Sequence, residues 1–280
     1  MKILIKKIRH NLWKLKMKSR LFINFLKRRF TKIKRLFIKE KFKEPHNFAI
    51  SCTKRLEYAD MAIKNINSMH YLNPKSKFVI YCDDICFNYL NRKKFWFDYP
   101  KQTTFKKINA KENKTWQEYK TEMLIDASKK DLVCVDADAI WHSDPKLDKN
   151  KITFLLISRK MKEKESEKFL MESFFGEKEW SNFYHYTTGF LSLPSKFVTP
   201  KFEKDCARYL KEILNEKFET LSKENREGLY RLSEQIALNI AVQTNYPADK
   251  ITVLKPPRGG PKDTNILQSL YYGCANRVLK

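Results

Sequence analysis

Residues 116–141 read WQEYKTEMLIDASKKDLVCVDADAIW, and this stretch says most about the architecture. Its first half spaces apolar side chains such as Tyr119 and Met123 near a helical period, which predicts a helix. Its second half, DLVCVDADAIW, is a short apolar run, which predicts a buried strand ending at Asp136 and Asp138. A helix that leads into a buried strand is the repeating unit of α/β proteins.

An earlier segment has the same pattern. NFAISCT, residues 47–53, predicts a short strand, and residues 55–72 have the apolar spacing of a helix. FVIYC, residues 78–82, predicts a second strand, and Asp83 and Asp84 follow it directly. Open parallel sheets bind ligands outside the carboxyl ends of their strands, so we expect an α/β layered fold with both aspartates at that edge.

The second half of the chain predicts further strands and helices. The predicted strands are ITFLLIS (152–158), YTTGFLSLPSK (186–196) and the start of the C-terminal tail at 251–254. The predicted helices are a charged segment within 161–180, an amphipathic segment at 202–222, and SEQIALNIAVQ (233–243), with Ser233 as its N-cap. A Pro/Gly loop carrying Lys255, Arg258 and Lys262 follows the last strand.

The N-terminal 44 residues hold most of the positive charge. They carry a net charge of +15 out of +25 for the 280-residue chain, and apolar residues recur among them at close to helical spacing. This pattern predicts a basic amphipathic helix (1–44) ahead of one folded domain (45–280). Such a helix can lie on an anionic membrane surface. A helix packed on a partner and a basic tail that touches nucleic acid nonspecifically are the alternatives.

Composition excludes several classes of protein. No apolar run approaches the ~18 residues of a membrane-spanning helix. No zinc-finger spacing, RNP-like aromatic signature or leucine heptad is present, so no specific nucleic-acid partner is expected. Six cysteines in apolar surroundings favour reduced, buried thiols in a cytosol, although Cys82 and Cys86 could also contribute to a metal site.

Asp136 and Asp138 are the strongest chemical signal. Alternate residues of an extended chain point the same way, so both carboxylates can project from one face. Two like charges this close repel each other, and a divalent cation would relieve that repulsion. Hard oxygen ligands suit Mn²⁺ or Mg²⁺, which could also bind the phosphate oxygens of a nucleotide diphosphate. A capped strand end or a solvated loop is the alternative explanation.

Taken in order, these segments resemble the GT-A glycosyltransferases over nearly all of residues 47–275, and among them the glycogenin-like and bacterial lipopolysaccharide galactosyltransferase-like group. The resemblance implies a GT-A nucleotide-diphospho-sugar transferase fold with a mixed, mostly parallel central sheet flanked by helices. It implies Asp136 and Asp138 as ligands of Mn²⁺ or Mg²⁺, with Asp136 and Lys120 on the donor diphosphate. On the same basis Glu234 and Gln235, in SEQIALN, are the catalytic candidates near the transferred sugar.

The resemblance also implies the remaining donor-site residues. These are Ser51 and Thr53 at the end of the first strand, Asp83 or Asp84 near the nucleoside, Thr188 and Gly189 beside the donor sugar, and Arg258 or Lys262 near phosphate. The sequence departs from the group in two places. Tyr271 or Tyr272 stands before Gly273 where the group has a metal-binding His, with His142 and His185 as possible substitutes. Thr187 replaces the usual Asn.

The expected activity is therefore metal-dependent transfer of a sugar from a nucleotide-diphosphate sugar to a glycan or lipid-linked acceptor. The basic segment would hold the enzyme on the cytosolic face of a membrane, as a peripheral protein in the cytoplasm. A noncatalytic membrane- or nucleic-acid-binding protein that keeps the fold is one alternative. A Mg²⁺-dependent nucleotidyltransferase, which also uses paired aspartates, is the other.

Overall fold

The computed structural model describes residues 45–53, 55–72, 74–92, 101–108, 114–137, 139–140, 147–154, 157–176, 180–215, 221–254 and 268–269. All of them belong to the second of the two units into which the chain divides, Phe42–Lys280. The predicted N-terminal helix lies outside the described residues, so this helix and the domain boundary at residue 44 stay predictions.

Within the described residues, seven strands form one sheet. In spatial order they are β10 (Ile251–Val253), β6 (Ile152–Phe154), β9 (Phe190–Ser192), β4 (Val133–Val135), β1 (Asn47–Cys52), β2 (Lys77–Cys82) and β3 (Thr103–Lys107). β9 runs antiparallel to both of its neighbours, and every other pair is parallel. Two antiparallel pairs lie outside this sheet: β7 (Ile157–Lys160) with β8 (Tyr184–Tyr186), and β5 (Ala139–Ile140) with β11 (Gln268–Ser269).

Helices cover both faces of the sheet. The α-helices of the described residues are α1 (Leu56–Leu72), α2 (Asp84–Arg92), α3 (Trp116–Ser128), α4 (Glu165–Phe175), α5 (Pro200–Asn215), α6 (Lys223–Arg231) and α7 (Ser233–Asn245). In β1, Phe48 and Ile50 pack in one apolar cluster with residues of α1, while Ala49 packs in another with residues of α3, α5 and α7. The predicted α/β fold, with a mixed and mostly parallel sheet flanked by helices, is confirmed.

The parallel strands bring three sequence segments to one edge. Cys52 of β1 is level with Cys82 of β2, and Ile50 of β1 is level with Val135 of β4. The residues that follow these strands, including Asp83 and Asp136, therefore share the carboxyl edge of the sheet, where α/β proteins bind ligands.

The structure corrects some details of the sequence-based prediction. Ser233 is the first residue of α7 and not its N-cap; its hydroxyl donates to the Tyr230 carbonyl at 2.9 Å. The run 152–158 contributes to two strands, β6 and β7, which belong to different sheets. The sequence prediction missed α2 and β3, which have only nine and five residues and are too short for a period to stand out.

The described cysteines agree with the prediction of buried thiols. Cys52, Cys82, Cys86, Cys134 and Cys206 are buried and not linked in disulfides. Burial raises the pKa of Cys82 to about 12 and that of Cys134 to about 12, so both remain thiols. None of the helices in the described ranges is both long and apolar enough to cross a membrane.

Candidate active site

Lys120 joins two carboxylates at the centre of the candidate site. It lies in α3, whose N-terminus is fixed by a capping box between Thr115 and Glu118. Its Nζ lies 3.2 Å from Oδ1 of Asp136 and 3.2 Å from Oε1 of Glu234. The structure thus brings together three of the residues that the sequence predicted.

The three residues of this cluster differ in exposure. The side chain of Glu234 is 4% exposed and that of Lys120 is 16% exposed, whereas Asp136 is 36% exposed. Burial by itself lowers the pKa of Lys120, but Asp136 and Glu234 outweigh burial and raise that pKa well above its usual range. Lys120 is therefore a permanent cation that compensates the charge of a buried carboxylate.

One carboxylate oxygen of Glu234 lacks a hydrogen-bond partner among the described residues. Its Oε1 contacts Lys120, while its Oε2 is buried and has no hydrogen-bond partner among the described residues. A buried oxygen without a partner costs about 1–3 kcal/mol, so such an atom is typical of a place where a ligand binds. A hydrogen-bond donor of a bound ligand would satisfy it.

Asp136 is fixed through its backbone. Its N–H donates to the Gly189 carbonyl at 2.9 Å, and its own carbonyl accepts from Nδ2 of Asn65 at 2.8 Å. A Cβ at position 189 would lie 3.0 Å from Oδ2 of Asp136, so glycine leaves the room that this carboxylate occupies. Gly189 thus adjoins Asp136, as the sequence led us to expect for residues of one site.

Asn65 was missed by the sequence analysis. It is fully buried in α1, between the buried residues Ile63 and Ile66. An asparagine on an apolar helix face was the signal in the sequence, because buried amides need hydrogen-bond partners. Here the partner is the strand end that carries Asp136.

Gln235 contacts the segment around Gly189. Its Oε1 accepts from the Thr188 hydroxyl at 3.0 Å and from the Thr188 main-chain N–H at 3.3 Å. Gln235 follows Glu234 at the start of α7. The first turn of this helix therefore contacts both Lys120, through Glu234, and Thr188, through Gln235. Thr187, at the position where the group that the sequence resembles has Asn, is buried.

Two further amides of α7 extend this contact along β8. Both the N–H and the carbonyl of Tyr186 bond to the side chain of Asn239, at 2.8 and 2.9 Å. Gln243 does the same for Tyr184, at 2.7 Å in both bonds. We call Gln235, Asn239 and Gln243 the amide ladder. β7 pairs with one edge of β8. At the other edge, the amide ladder supplies the hydrogen bonds that a second neighbouring strand would otherwise make.

His185 is held by two side chains. Its Nδ1 lies 3.1 Å from Oε1 of Glu167, and its Nε2 contacts Nε2 of Gln235. His185 was a possible substitute for the missing metal-binding His. Because both ring nitrogens are engaged in the protein, the structure does not place it as a metal ligand.

The residues predicted to contact the nucleoside lie at the same sheet edge. Ser51 is half-buried in β1, and the Thr53 carbonyl accepts from the N–H of Arg55 at 2.8 Å. Asp83 accepts from the Cys86 N–H at 2.9 Å at the start of α2, and Asp84 pairs with Lys107 at 2.5 Å. Both aspartates therefore have structural contacts, and Asp84 remains largely exposed.

Several predicted residues lie outside the described part of the chain. They are Asp138, His142, Arg258, Lys262, Tyr271 and Tyr272. Within the described residues, no three His, Cys, Asp or Glu side chains are grouped so that they could hold a metal ion, Cys82 and Cys86 included. Asp136 offers a half-exposed, hard oxygen ligand at the sheet edge, which suits Mn²⁺ or Mg²⁺, and Asp138 would have to complete the set.

A scan against protein-family models finds no match, and no curated protein matches the sequence. Solved structures do resemble the chain. An active-site mutant of LgtC matches with a TM-score of 0.46 and 9% identity, over 83% of this chain and 94% of that one. A LgtC structure described as a galactosyltransferase with donor and acceptor sugar analogues matches with a TM-score of 0.43 and 10% identity, over 74% and 73%.

The chain also resembles part of two larger glycosyltransferases. The bifunctional WbbM matches with a TM-score of 0.46 and 12% identity, over 78% of this chain and 40% of that one. GlyE from Streptococcus pneumoniae matches with a TM-score of 0.40 and 12% identity, over 76% and 45%. The chain thus spans less than half of these two proteins. It resembles LgtC-like glycosyltransferases of GT-A fold at very low identity, and the chemistry has to be argued from its own side chains.

Proposed function

We propose that this protein is a metal-dependent glycosyltransferase that uses a nucleotide-diphosphate sugar. The observation that carries the proposal is the half-buried Lys120, whose Nζ contacts both Asp136, at the carboxyl edge of the sheet, and Glu234. A cation next to two carboxylates, one with an unsatisfied buried oxygen, suits a reaction in which charge moves between a phosphate and a sugar.

The donor diphosphate would bind next to Asp136. Asp136 and Asp138 would hold Mn²⁺ or Mg²⁺, which supplies positive charge to the leaving diphosphate. Lys120 adds a second, permanent cation at this end of the site. Arg258 and Lys262, which follow β10 in the sequence, are proposed to contact phosphate, and Ser51, Thr53, Asp83 and Asp84 to contact the nucleotide.

The sugar would lie between this end and the start of α7. Oε2 of Glu234 is buried and has no hydrogen-bond partner among the described residues, so it can accept from a sugar or acceptor hydroxyl. A carboxylate in this place, 3.2 Å from the Lys120 cation, is the kind of group that can act as a general base or stabilise an oxocarbenium-like centre. Gln235 and Thr188 would contact the donor sugar.

The acceptor and the location follow from the N-terminal segment. Its 17 basic and 2 acidic side chains in 44 residues favour binding to anionic lipid. We therefore propose a glycan or lipid-linked acceptor at the cytosolic face of a membrane.

A thermal-shift panel tests the activity. UDP, GDP, CDP and their common sugars are each added with and without Mn²⁺. Stabilisation by one nucleotide, dependent on Mn²⁺, is expected; ligand at 100 times its Kd adds about 2.7 kcal/mol. Asp136→Asn and Asp138→Asn should each remove the Mn²⁺-dependent part. Asp249→Asn, at an exposed position away from the site, is the control.

The outcomes separate the alternatives. A nucleotide response that needs Mn²⁺, together with release of pyrophosphate from a nucleoside triphosphate and a sugar 1-phosphate in a turnover assay, would indicate a nucleotidyltransferase. No response to any nucleotide, together with binding to anionic vesicles, would support the noncatalytic alternative and contradict the proposal.

A further inference from the structure

A chain of three buried or half-buried side chains leads from α4 to the candidate site. Glu167 of α4 and His185 of β8 are 0% and 1% exposed, and they meet through Oε1 and Nδ1 at 3.1 Å. The other ring nitrogen of His185, Nε2, contacts Nε2 of Gln235. Gln235 in turn bonds to Thr188, which precedes the glycine beside Asp136.

The hydrogen bonds of this chain admit one arrangement of protons. A main-chain N–H can only donate, so the N–H of Thr188 requires the oxygen of the Gln235 amide to face it. The NH₂ group of Gln235 then faces His185, whose Nε2 must accept. The imidazole proton is therefore on Nδ1, where it can be donated to the carboxylate of Glu167.

This arrangement leaves Gln235 with a spare donor. One hydrogen of its NH₂ group is directed to His185, and no acceptor for the other exists among the described residues. If the imidazole carried its proton on Nε2, the amide would have to turn over, and the Thr188 N–H would face a second donor. The tautomer of His185 thus decides which amide atom Gln235 presents.

We propose that Glu167 and His185 are positioning residues that lock the Gln235 amide, with its oxygen on Thr188 and an N–H free to bind a sugar oxygen. The proposal rests on the proposed function for the identity of the ligand. The tautomer of His185 can be measured without any ligand, so the two can fail separately.

NMR of the ¹⁵N-histidine-labelled full-length protein at pH 7.5 tests the tautomer. The His185 signals are assigned by their loss in His185→Gln. We expect an unprotonated Nε2 and a protonated Nδ1, and in Glu167→Gln a new population protonated on Nε2. Glu172→Gln, on the exposed side of the same helix, should leave the signals unchanged. A protonated Nε2 in the wild-type protein would overturn the proposal.

A pair of substitutions tests the positioning role. Glutamine at position 185 can put an amide oxygen where Nε2 was, whereas asparagine can replace only Nδ1. With UDP-galactose and Mn²⁺ as the probe, His185→Asn should release UDP at least 10-fold more slowly than wild type, with UDP binding within twofold. His185→Gln should recover most of the rate, and His46→Gln, before β1, should match wild type.

The controls distinguish the possible failures. An equal loss of rate in His185→Asn and His185→Gln, in step with a lower Tm, would mean that His185 only supports the fold, and would overturn the proposal. If the wild-type protein neither binds UDP nor releases it from UDP-galactose, the UDP form of the proposed function fails. In that case the NMR result alone decides whether the locked amide exists.

Discussion

Lys120 connects two carboxylates that are far apart in the sequence. Asp136 follows β4 and Glu234 lies in the first turn of α7, yet both lie 3.2 Å from the same Nζ. Removing one partner from a buried charge pair costs about 3–5 kcal/mol, because the other charge is left uncompensated. Since the pKa of Lys120 is raised, its stabilising contribution is complete below the ordinary pKa of lysine and falls only as the pH rises above it.

Gly189→Ala should weaken nucleotide binding more than it weakens the fold. The new Cβ would lie 3.0 Å from Oδ2 of Asp136, so the carboxylate must move by a few tenths of an ångström. We expect a loss of stability of about 1 kcal/mol or less and a Kd for the nucleotide diphosphate with Mn²⁺ at least 10-fold higher. Urea unfolding and calorimetric titration measure the two effects.

Gly228→Ala serves as the comparison for Gly189→Ala. Gly228 lies inside α6, and its new Cβ would meet only the end of the flexible Lys164 side chain, at 3.3 Å. Alanine should stabilise this helix by about 0.5–1 kcal/mol and leave the Kd unchanged. Equal binding by both variants would contradict the role given to Gly189.

At the scale of the elements, the amide ladder fixes α7 against β8. Four residues of a helix rise about 6 Å, close to the rise of two residues of a strand, about 6.6 Å. Side chains spaced by four on α7 therefore meet every second residue of β8, which is why Gln235, Asn239 and Gln243 match successive backbone groups. This match positions Glu234 and Gln235 in the candidate site.

Asn239→Leu should destabilise the protein by about 2–4 kcal/mol. The substitution keeps the volume of the side chain but leaves the buried N–H and carbonyl of Tyr186 without their partner. Chemical denaturation measures the loss. Asn91→Leu, at an exposed position of α2, should change stability by less than about 0.5 kcal/mol. A similar effect of both would mean that the ladder contributes little.

Asp126 makes the contact of α3 with β2 and β3 sensitive to pH. It accepts from the Tyr81 hydroxyl at 2.6 Å and pairs with Lys106 and Lys130 at 2.6 and 2.7 Å. Burial alone would raise the pKa of Asp126, but these three donors lower it well below its usual range. Its stabilising contribution is therefore complete above pH ~4 and is lost as the pH falls further.

Asp126→Asn should lower the free energy of unfolding by about 1 kcal/mol at pH 7, a modest value because the carboxylate is 37% exposed. Unfolding curves at several pH values should show the difference between wild type and variant shrinking below pH ~4. Asp249→Asn, 70% exposed, should show no such trend. A difference that stays constant down to pH 2 would contradict the assignment.

At the scale of the whole molecule, the sheet and the N-terminal segment have separate tasks in the proposed function. The candidate site lies where the carboxyl ends of β1, β2 and β4 meet. The excess of positive charge, in contrast, is concentrated in residues 1–44, which carry +15 of the +25. Membrane attachment and sugar transfer should therefore be separable by mutation.

Replacing Lys14, Lys16 and Lys18 together by Glu should reduce binding to vesicles. Each basic residue contributes about 1 kcal/mol at an anionic surface, so phosphatidylglycerol vesicles should bind the variant at least 100-fold more weakly in a sedimentation assay. The nucleotide-dependent thermal shift should not change. The same change at Lys204, Lys211 and Lys223, which are exposed on α5 and α6, tests whether overall charge is enough. Equal loss in both triple variants would contradict a specific role of the N-terminal segment.

The sequence by itself determined the alternation of strands and helices and the position of Asp136 at a strand end. Both can be inferred from the spacing of apolar residues within a short stretch of sequence. It likewise determined where the charge lies along the chain. The sequence analysis missed the short elements α2 and β3, because nine and five residues contain too few repeats for a period to be recognised.

Only the tertiary structure decided which of the candidate residues meet. The contact of Lys120 with Glu234, and the chain from Glu167 through His185 to Gln235, join segments that are distant in sequence. Such contacts depend on strand order and helix packing, which local patterns do not encode. For the same reason the sequence named His185 as a possible metal ligand, whereas in the fold its two ring nitrogens contact Glu167 and Gln235.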